Sequence, residues 1–231
     1  MKIQAWPSSE RPREKLLTQG STALSDAELL AVLMGSGRPG LNCVEWARQQ
    51  LAHAGGIQAF FNLSSDKLQS FSGMGPARTA QILAVREMAI RFARIRVEPR
   101  KIVHDPSELA DYLKLSLGRE TREKFRVFFF NKKMEILEEK DLFTGTIDET
   151  PVYPREIVRC ALDCHATAVI LVHNHPSGRL QPSAADIQVT EKIISACALV
   201  DIRVLDHLII GAEGYFSFSS EGLLDSSRKR D

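Results

Sequence analysis

The stretch "ATAVILVHNHPSGRLQPSAADIQVTEKIISACALV", residues 166–200, most constrains what this chain can fold into. It opens on a short apolar run rich in β-branched residues, with Val169, Ile170 and Val172, which reads as a strand buried on both faces. Pro176, Gly178 and Pro182 break that run. Ser183 then opens a periodic run of about five helical turns. A strand without a polar face needs cover on both sides, so this half of the chain is expected to be mixed α/β. Its surroundings agree. "KFRVFFFN" alternates Phe125, Val127 and Phe129 with Arg126, Phe128 and Phe130, a strand with at least one fully buried face. "MEILEEKDLFTGTID" reads as one or two further strands around a turn, and "IRVLDHLIIG" and "GYFSFS" as strands. "SELADYLKLSLG" and "YPREIVRCALDC" read as helices, and "SEGLL" as a last short one.

The first ninety or so residues carry a different period. "LSDAELLAVLMGSG" pairs Ser25 with Glu28 as a capping box ahead of an apolar helix. "NCVEWARQQLAHAGG" places Val44, Ala47, Leu51 and Ala52 on one stripe and stops at Gly55-Gly56. "SSDKLQSF" is a short third helix, and a Gly-Met-Gly turn opens a long amphipathic fourth with Pro76 in its first turn. "VEPRKIVHDP" has two prolines and no period. The expected organisation is a helical domain over 1–96, a linker over 97–106 and a mixed α/β domain over 107–231. No internal repeat is evident.

Charge follows the same division. The whole chain carries +1, but residues 1–100 hold +5 and residues 101–231 hold −4, which suggests two bodies with different partners. Four scattered cysteines do not form a disulfide framework, and neither a signal-peptide core nor a membrane-length apolar run is present. A soluble protein of a reducing cytoplasm is expected.

The end of the strand at 168–174 carries the chemistry. His173 and His175 are two apart, so on a regular strand both imidazoles share a face and can share an ion. Pro176 and Gly178 turn the chain, and the first turn of the next helix offers Asp186. Two imidazoles and a carboxylate with an open fourth position suit a catalytic Zn²⁺ whose water has a pKa near 7. The competing reading is a strand end, a turn and a Ser183–Asp186 capping box. The two coexist, because a carboxylate on a first helical turn also suits the helix dipole. Cys160 and Cys164, four apart on a helix beside His165, read as small buried side chains rather than a second metal site. His207 alternates with apolar residues, as a hydrogen-bonded sheet histidine would.

The order His173-x-His175-Pro176-x-Gly178, then Pro182-Ser183-x-x-Asp186, resembles the JAMM (MPN⁺) signature of zinc isopeptidases and related hydrolases. The text around it, with "RVLDHLIIG…YFSFSSEGLL" and "RPREKLLTQGSTALSDAELLAVLMGSG", resembles the bacterial RadC family over almost the whole chain. The resemblance implies an α+β two-domain chain: a small all-α domain, then a JAMM/MPN-type, cytidine-deaminase-like zinc domain with a mixed central sheet. It implies His173, His175 and Asp186 as zinc ligands and Ser183 as the hydroxyl aimed at the oxyanion. It implies a general base upstream, for which Glu123, directly before the Phe-rich strand, is the best match; Glu120, Glu135, Glu138 and Glu139 compete. The expected activity is hydrolysis of a peptide or isopeptide bond.

"FSGMGPARTAQILA" resembles a helix-hairpin-helix, in which the Gly73-x-Gly75 loop and the helix start would bind a DNA phosphate. Arg86, Arg91, Arg94, Arg96, Arg100 and Lys101 follow, as a phosphate footprint or as a solvated helix face. The alternative function is therefore a DNA-associated accessory protein in which the metal domain is a scaffold.

Overall fold

The computed structural model describes residues 3–95, 107–118, 120–145, 152–212 and 214–224. Contacts divide the chain into two compact units, Met1–Met88 and Ala89–Asp231. The expected linker, 97–106, lies outside the described residues.

The first unit is helical: α1 (Pro12–Gln19), α2 (Asp26–Met34), α3 (Cys43–Ala54), α4 (Ile57–Phe61), α5 (Ser65–Gln69) and the start of α6 (Pro76–Ile95), with short 3₁₀ turns before α2. Ser25 caps α2 in the expected capping box with Glu28. The buried stripe of α3 is Val44, Trp46, Ala47, Gln50 and Leu51, whereas Ala52 is exposed. Trp46, wholly buried, is the reason: its ring needs the centre of the core, and α3 rotates to supply it. The helices α1 and α4 carry too little period to stand out in the sequence.

The chain does use one plan twice. A serine-capped helix (Ser25, α2) runs to a left-handed glycine (Gly35) and then to a second helix, α3. Another serine-capped helix (Ser64, α5) runs to Gly73, also at positive φ, and then to α6. Arg78 ties the two turns together, donating to Gly73 O (2.9 Å) and to Ser36 O (2.5 Å) and Gly37 O (3.1 Å), with its guanidinium 4.8 Å from the Trp46 ring. Unequal loop lengths hide this repetition in the sequence.

The second unit has α7 (Ser107–Ser116), β1 (Lys124–Phe130), β2 (Ile136–Thr144), α8 (Pro154–Asp163), β3 (Ala168–Asn174), α9 (Ala184–Ala198), β4 (Arg203–Ile210) and β5 (Tyr215–Ser217). The sheet order is β2-β1-β3-β4-β5, with β3 and β4 parallel and every other pair antiparallel. The strand β3 is buried along its whole length. Its even-numbered residues Ala168, Ile170 and Val172 pack with Phe128, Phe130, Leu208 and Ile210 under α7. Its odd-numbered residues Val169 and Leu171 pack with Phe125, Val127 and Phe129 against Ile157 of α8 and Ile193 of α9. Residues 136–144 form one strand, and the "SEGLL" segment forms turns rather than a helix. On β1 the polar residues are Lys124, at the strand's start and paired with Glu120, and Arg126, which is spent on Asp141 and Glu139.

Candidate metal centre

The parallel β3–β4 pair requires a crossover, and α9 supplies it. The loop out of β3 therefore ends at the start of α9, next to the strand end it has just left. His173 follows the odd-numbered face of β3, and its ring stacks on Phe125 (interplanar angle 8°). Ser183 caps α9 by accepting from Asp186 N, while the Asp186 carboxylate accepts from Ser183 N (2.7 Å) and Ser183 Oγ (2.7 Å). The capping box and the converging carboxylate are one arrangement: its Oδ1 lies 3.2 Å from His173 Nε2, its Oδ2 3.5 Å from His175 Nε2, and the two Nε2 atoms are 2.9 Å apart. Among the described residues these three form the group able to hold a metal.

The donor set fits a cation. His175 Nδ1 lies 2.6 Å from the carbonyl of Arg179, which can only accept, so Nδ1 carries the proton and Nε2 offers a lone pair to its neighbours. One ligand atom from each of the three residues lies within 4.8 Å of the others, close enough to share one ion. Burial pushes the Asp186 carboxyl up, but the two histidines outweigh it and hold it far below the ordinary carboxylate range. The Asp186 carboxylate in turn raises His175 above the usual imidazole value, with a smaller push from Glu123. This is the electrostatics of a site shaped for positive charge.

Glu123, half-buried, sits one residue before β1, with its carbonyl accepting from Gly145 N (3.0 Å). Phe125 pairs with His173, so continuing the antiparallel register by two residues sets Glu123 across from His175. Its four competitors are engaged elsewhere: Glu120 with Lys124, Glu135 with Asn131, Glu138 with Lys140, and Glu139 with Arg126 and Arg94.

Three side chains behind the site escaped sequence reasoning or were only glimpsed. Asn174, between the two histidines and 1% exposed, turns to the other face. Its Oδ1 accepts from Lys124 N (2.9 Å), and its Nδ2 donates to Arg122 O (3.2 Å) and Glu120 O (3.3 Å). It thus clamps the segment that presents Glu123. His207 on β4 is fully buried, with Nε2 2.8 Å from His173 Nδ1 and Nδ1 2.6 Å from Thr190 Oγ1. Burial, and then the charge of His173, push His207 well below the usual imidazole value. Thr190, one helical turn after Asp186, is the signal that could have been read, since i and i+4 share a helix face. Cys160 is buried on α8 and Cys164 half-buried at its end, and neither joins a metal-binding group among the described residues.

Of the basic run, Arg94 pairs with Glu139, while Arg96, Arg100 and Lys101 lie outside the described residues.

Comparison with known proteins decides the family. Residues 102–223 match the RadC-like JAB domain, and residues 3–80 match the UPF0758 N-terminal domain. The chain belongs to the RadC (UPF0758) family. A UPF0758 protein of Idiomarina loihiensis is 43% identical over 97% of this chain and 100% of its own length. One of Stutzerimonas stutzeri is 47% identical over 91% of this chain and 94% of its own, and one of Stenotrophomonas maltophilia is 42% identical over 100% and 99%. The α+β arrangement expected from the RadC resemblance, helical region first and JAB domain second, stands. No helix among the described residues is long and apolar enough to cross a membrane.

Proposed function

We propose that this protein is a zinc-dependent hydrolase of the JAMM type, acting on a peptide or isopeptide bond. The observation that carries the reading is the convergence of His173 Nε2, His175 Nε2 and an Asp186 carboxylate oxygen at one strand end, with the Glu123 charge near enough to act on His175. His173, His175 and Asp186 would hold the zinc. Bound there, the metal would supply an acidified water and polarise the scissile carbonyl. Glu123 takes a proton from the attacking water and delivers it to the departing amine. The Ser183 hydroxyl, which donates to Asp186 here, turns its O–H toward the oxyanion as that charge develops. Phe125, stacked on His173, keeps bulk water from the back of the ligand. A single-metal His₂Asp set favours acyl chemistry over the oxygen-rich sites of Mg²⁺-dependent phosphoryl transfer.

The first test is metal content by mass spectrometry. About one zinc per chain, lost in His175→Ala and Asp186→Ala, supports the reading; no zinc in the wild type after loading and dialysis refutes it. Glu123→Gln is then expected to keep the zinc and lose at least about 10²-fold in turnover on a peptide or isopeptide substrate. An unchanged biological activity in that variant would favour the scaffold alternative.

A second reading concerns the first unit, where two glycine turns are pinned side by side by Arg78. Such a pair could meet duplex DNA through two phosphates, as a helix-hairpin-helix does. Fluorescence anisotropy with labelled duplex at two salt concentrations tests it. Absence of binding at low salt, or binding without salt dependence, would sink it.

A further inference from the structure

The contacts behind His173 have only one consistent proton order. Thr190 Oγ1 lies 2.5 Å from the carbonyl oxygen of Asp186, one helical turn back. A carbonyl cannot donate, so the single hydroxyl proton of Thr190 points to it. The same Oγ1 lies 2.6 Å from His207 Nδ1 and, with its proton spent, can only accept there. His207 Nδ1 therefore carries hydrogen, and its Nε2 presents a lone pair. That lone pair lies 2.8 Å from His173 Nδ1, which must donate. With its one neutral-ring proton on Nδ1, His173 can offer a metal only Nε2, the nitrogen that faces Asp186 and His175.

We infer that His207 and Thr190 are positioning residues for the metal centre, a buried relay that fixes the His173 tautomer so that Nε2 is always the ligating atom. The inference rests on the metal reading proposed above. The relay starts and ends on the same ligand pair. Asp186 anchors it with its backbone carbonyl, while its carboxylate faces the nitrogen that the relay prepares. An imidazole that ligates a metal commonly donates its other N–H to a carboxylate, carbonyl or water. Here the acceptor is a neutral histidine with a hydroxyl behind it, and every step is out of solvent: His173, His207 and Thr190 are each no more than 1% exposed.

The C-terminal hairpin has its purpose in this relay. Phe218 stacks on His207 at 4.7 Å with an interplanar angle of 22°. Phe218 N donates to His207 O (3.0 Å). The buried Asp206 carboxylate accepts from His207 N (2.7 Å), Ser217 Oγ (2.6 Å) and Ser219 N (2.9 Å), so the strand that carries His207 and the turn that carries Phe218 are locked together. The imidazole can then neither rotate nor flip. "DHLII" and "YFSFSS" thus act as one device, though neither supplies a ligand.

The test uses the full chain, with zinc affinity read by competition against a chromophoric chelator. His207→Leu keeps the bulk and removes the acceptor; its zinc affinity is expected to fall 10- to 100-fold. His207→Gln, whose amide oxygen can accept from His173 Nδ1, should recover most of that loss. Thr190→Val should weaken zinc in the same direction and Thr190→Ser should restore it. Independently, ring ¹⁵N shifts of the metal-free wild type at pH 8 should show His207 protonated on Nδ1 and not on Nε2. Wild-type zinc affinity in a folded His207→Leu, or a proton on His207 Nε2, overturns the inference. If His207→Leu does not fold, the Thr190 pair and the ring shifts decide. A wild type that binds no zinc refutes the metal reading instead, and the ring shifts still judge the relay.

Discussion

Asn174→Ala tests how the segment ahead of β1 is held. The side chain is 1% exposed and its amide makes three hydrogen bonds, to Lys124 N at 2.9 Å, Arg122 O at 3.2 Å and Glu120 O at 3.3 Å. The Lys124 N–H loses its acceptor beneath the strand, at about 1–3 kcal/mol. The two carbonyls lose longer bonds and face partly exposed chain, which adds about 0.5 kcal/mol each at the low end of such bonds. A total near 2–4 kcal/mol is expected from these contributions. Both tryptophans, Trp6 and Trp46, fall in the first unit, so tryptophan emission is blind to this change and serves as an internal control. Urea unfolding followed by circular dichroism, with amide exchange at Lys124, reads the second unit. Asn174→Asp should be worse than Ala at neutral pH, because a carboxylate oxygen then faces two carbonyls. Its folded-state pKa is thereby raised, so stability should be regained as pH falls through that raised value. Zinc content should not change, since Asn174 points to the opposite face from the ligands. An Asn174→Ala protein within roughly 0.5 kcal/mol of wild type, with Lys124 exchange unaltered, would refute the clamp.

Further expectations are as direct. Burial, and then Glu139, push the Tyr112 hydroxyl up to about 12. The folded protein should therefore show one tyrosine ionising near that value by ultraviolet absorbance. The unfolded chain would release that proton near 10, so stability should fall as pH rises from there through the folded value; Glu139→Gln should lower the folded pKa without restoring it fully. A Cβ on Gly118 would meet Lys114 O at 2.6 Å and Gly211 O at 2.9 Å, both backbone, so Gly118→Ala should destabilise the second unit by about 1–3 kcal/mol. In the first unit a Cβ on Gly37 would meet Asn42 C at 2.7 Å and Cys43 N at 2.8 Å, and Gly37→Ala should shift the tryptophan-monitored transition by a similar amount. Arg78→Lys loses the planar fork that spans two glycine turns, and should shift that transition by about 1–3 kcal/mol while leaving zinc content untouched.

The parts legible in the sequence were those with a strong local period or a local motif. A doubly buried β3, a capped α9 and the histidine spacing all follow from neighbours in the chain, and so did the cluster of His173, His175 and Asp186. What the sequence concealed depends on contacts between segments far apart in the chain. Ala52 falls on the apolar arc of α3, but Trp46 takes the centre of the core and turns Ala52 outward. The turns at Gly35 and Gly73 repeat one plan, but their unequal loops conceal it until Arg78 joins them. Asn174 and Thr190 are ordinary polar letters in the sequence, and only tertiary placement gives their hydrogen bonds a destination.

All three proposed ligands lie in one fourteen-residue stretch, His173 to Asp186. A chelating peptide that short keeps some grip on zinc when the protein is unfolded, and ligand bound to the unfolded state subtracts from the stabilisation that native binding provides. Zinc should therefore raise the unfolding temperature by less than its native dissociation constant implies. The His207 relay reaches in from a different strand and exists only in the folded state. Severing it should lower the native affinity and leave the loose chain's grip alone, so the thermal effect of zinc should shrink toward nothing before binding itself disappears.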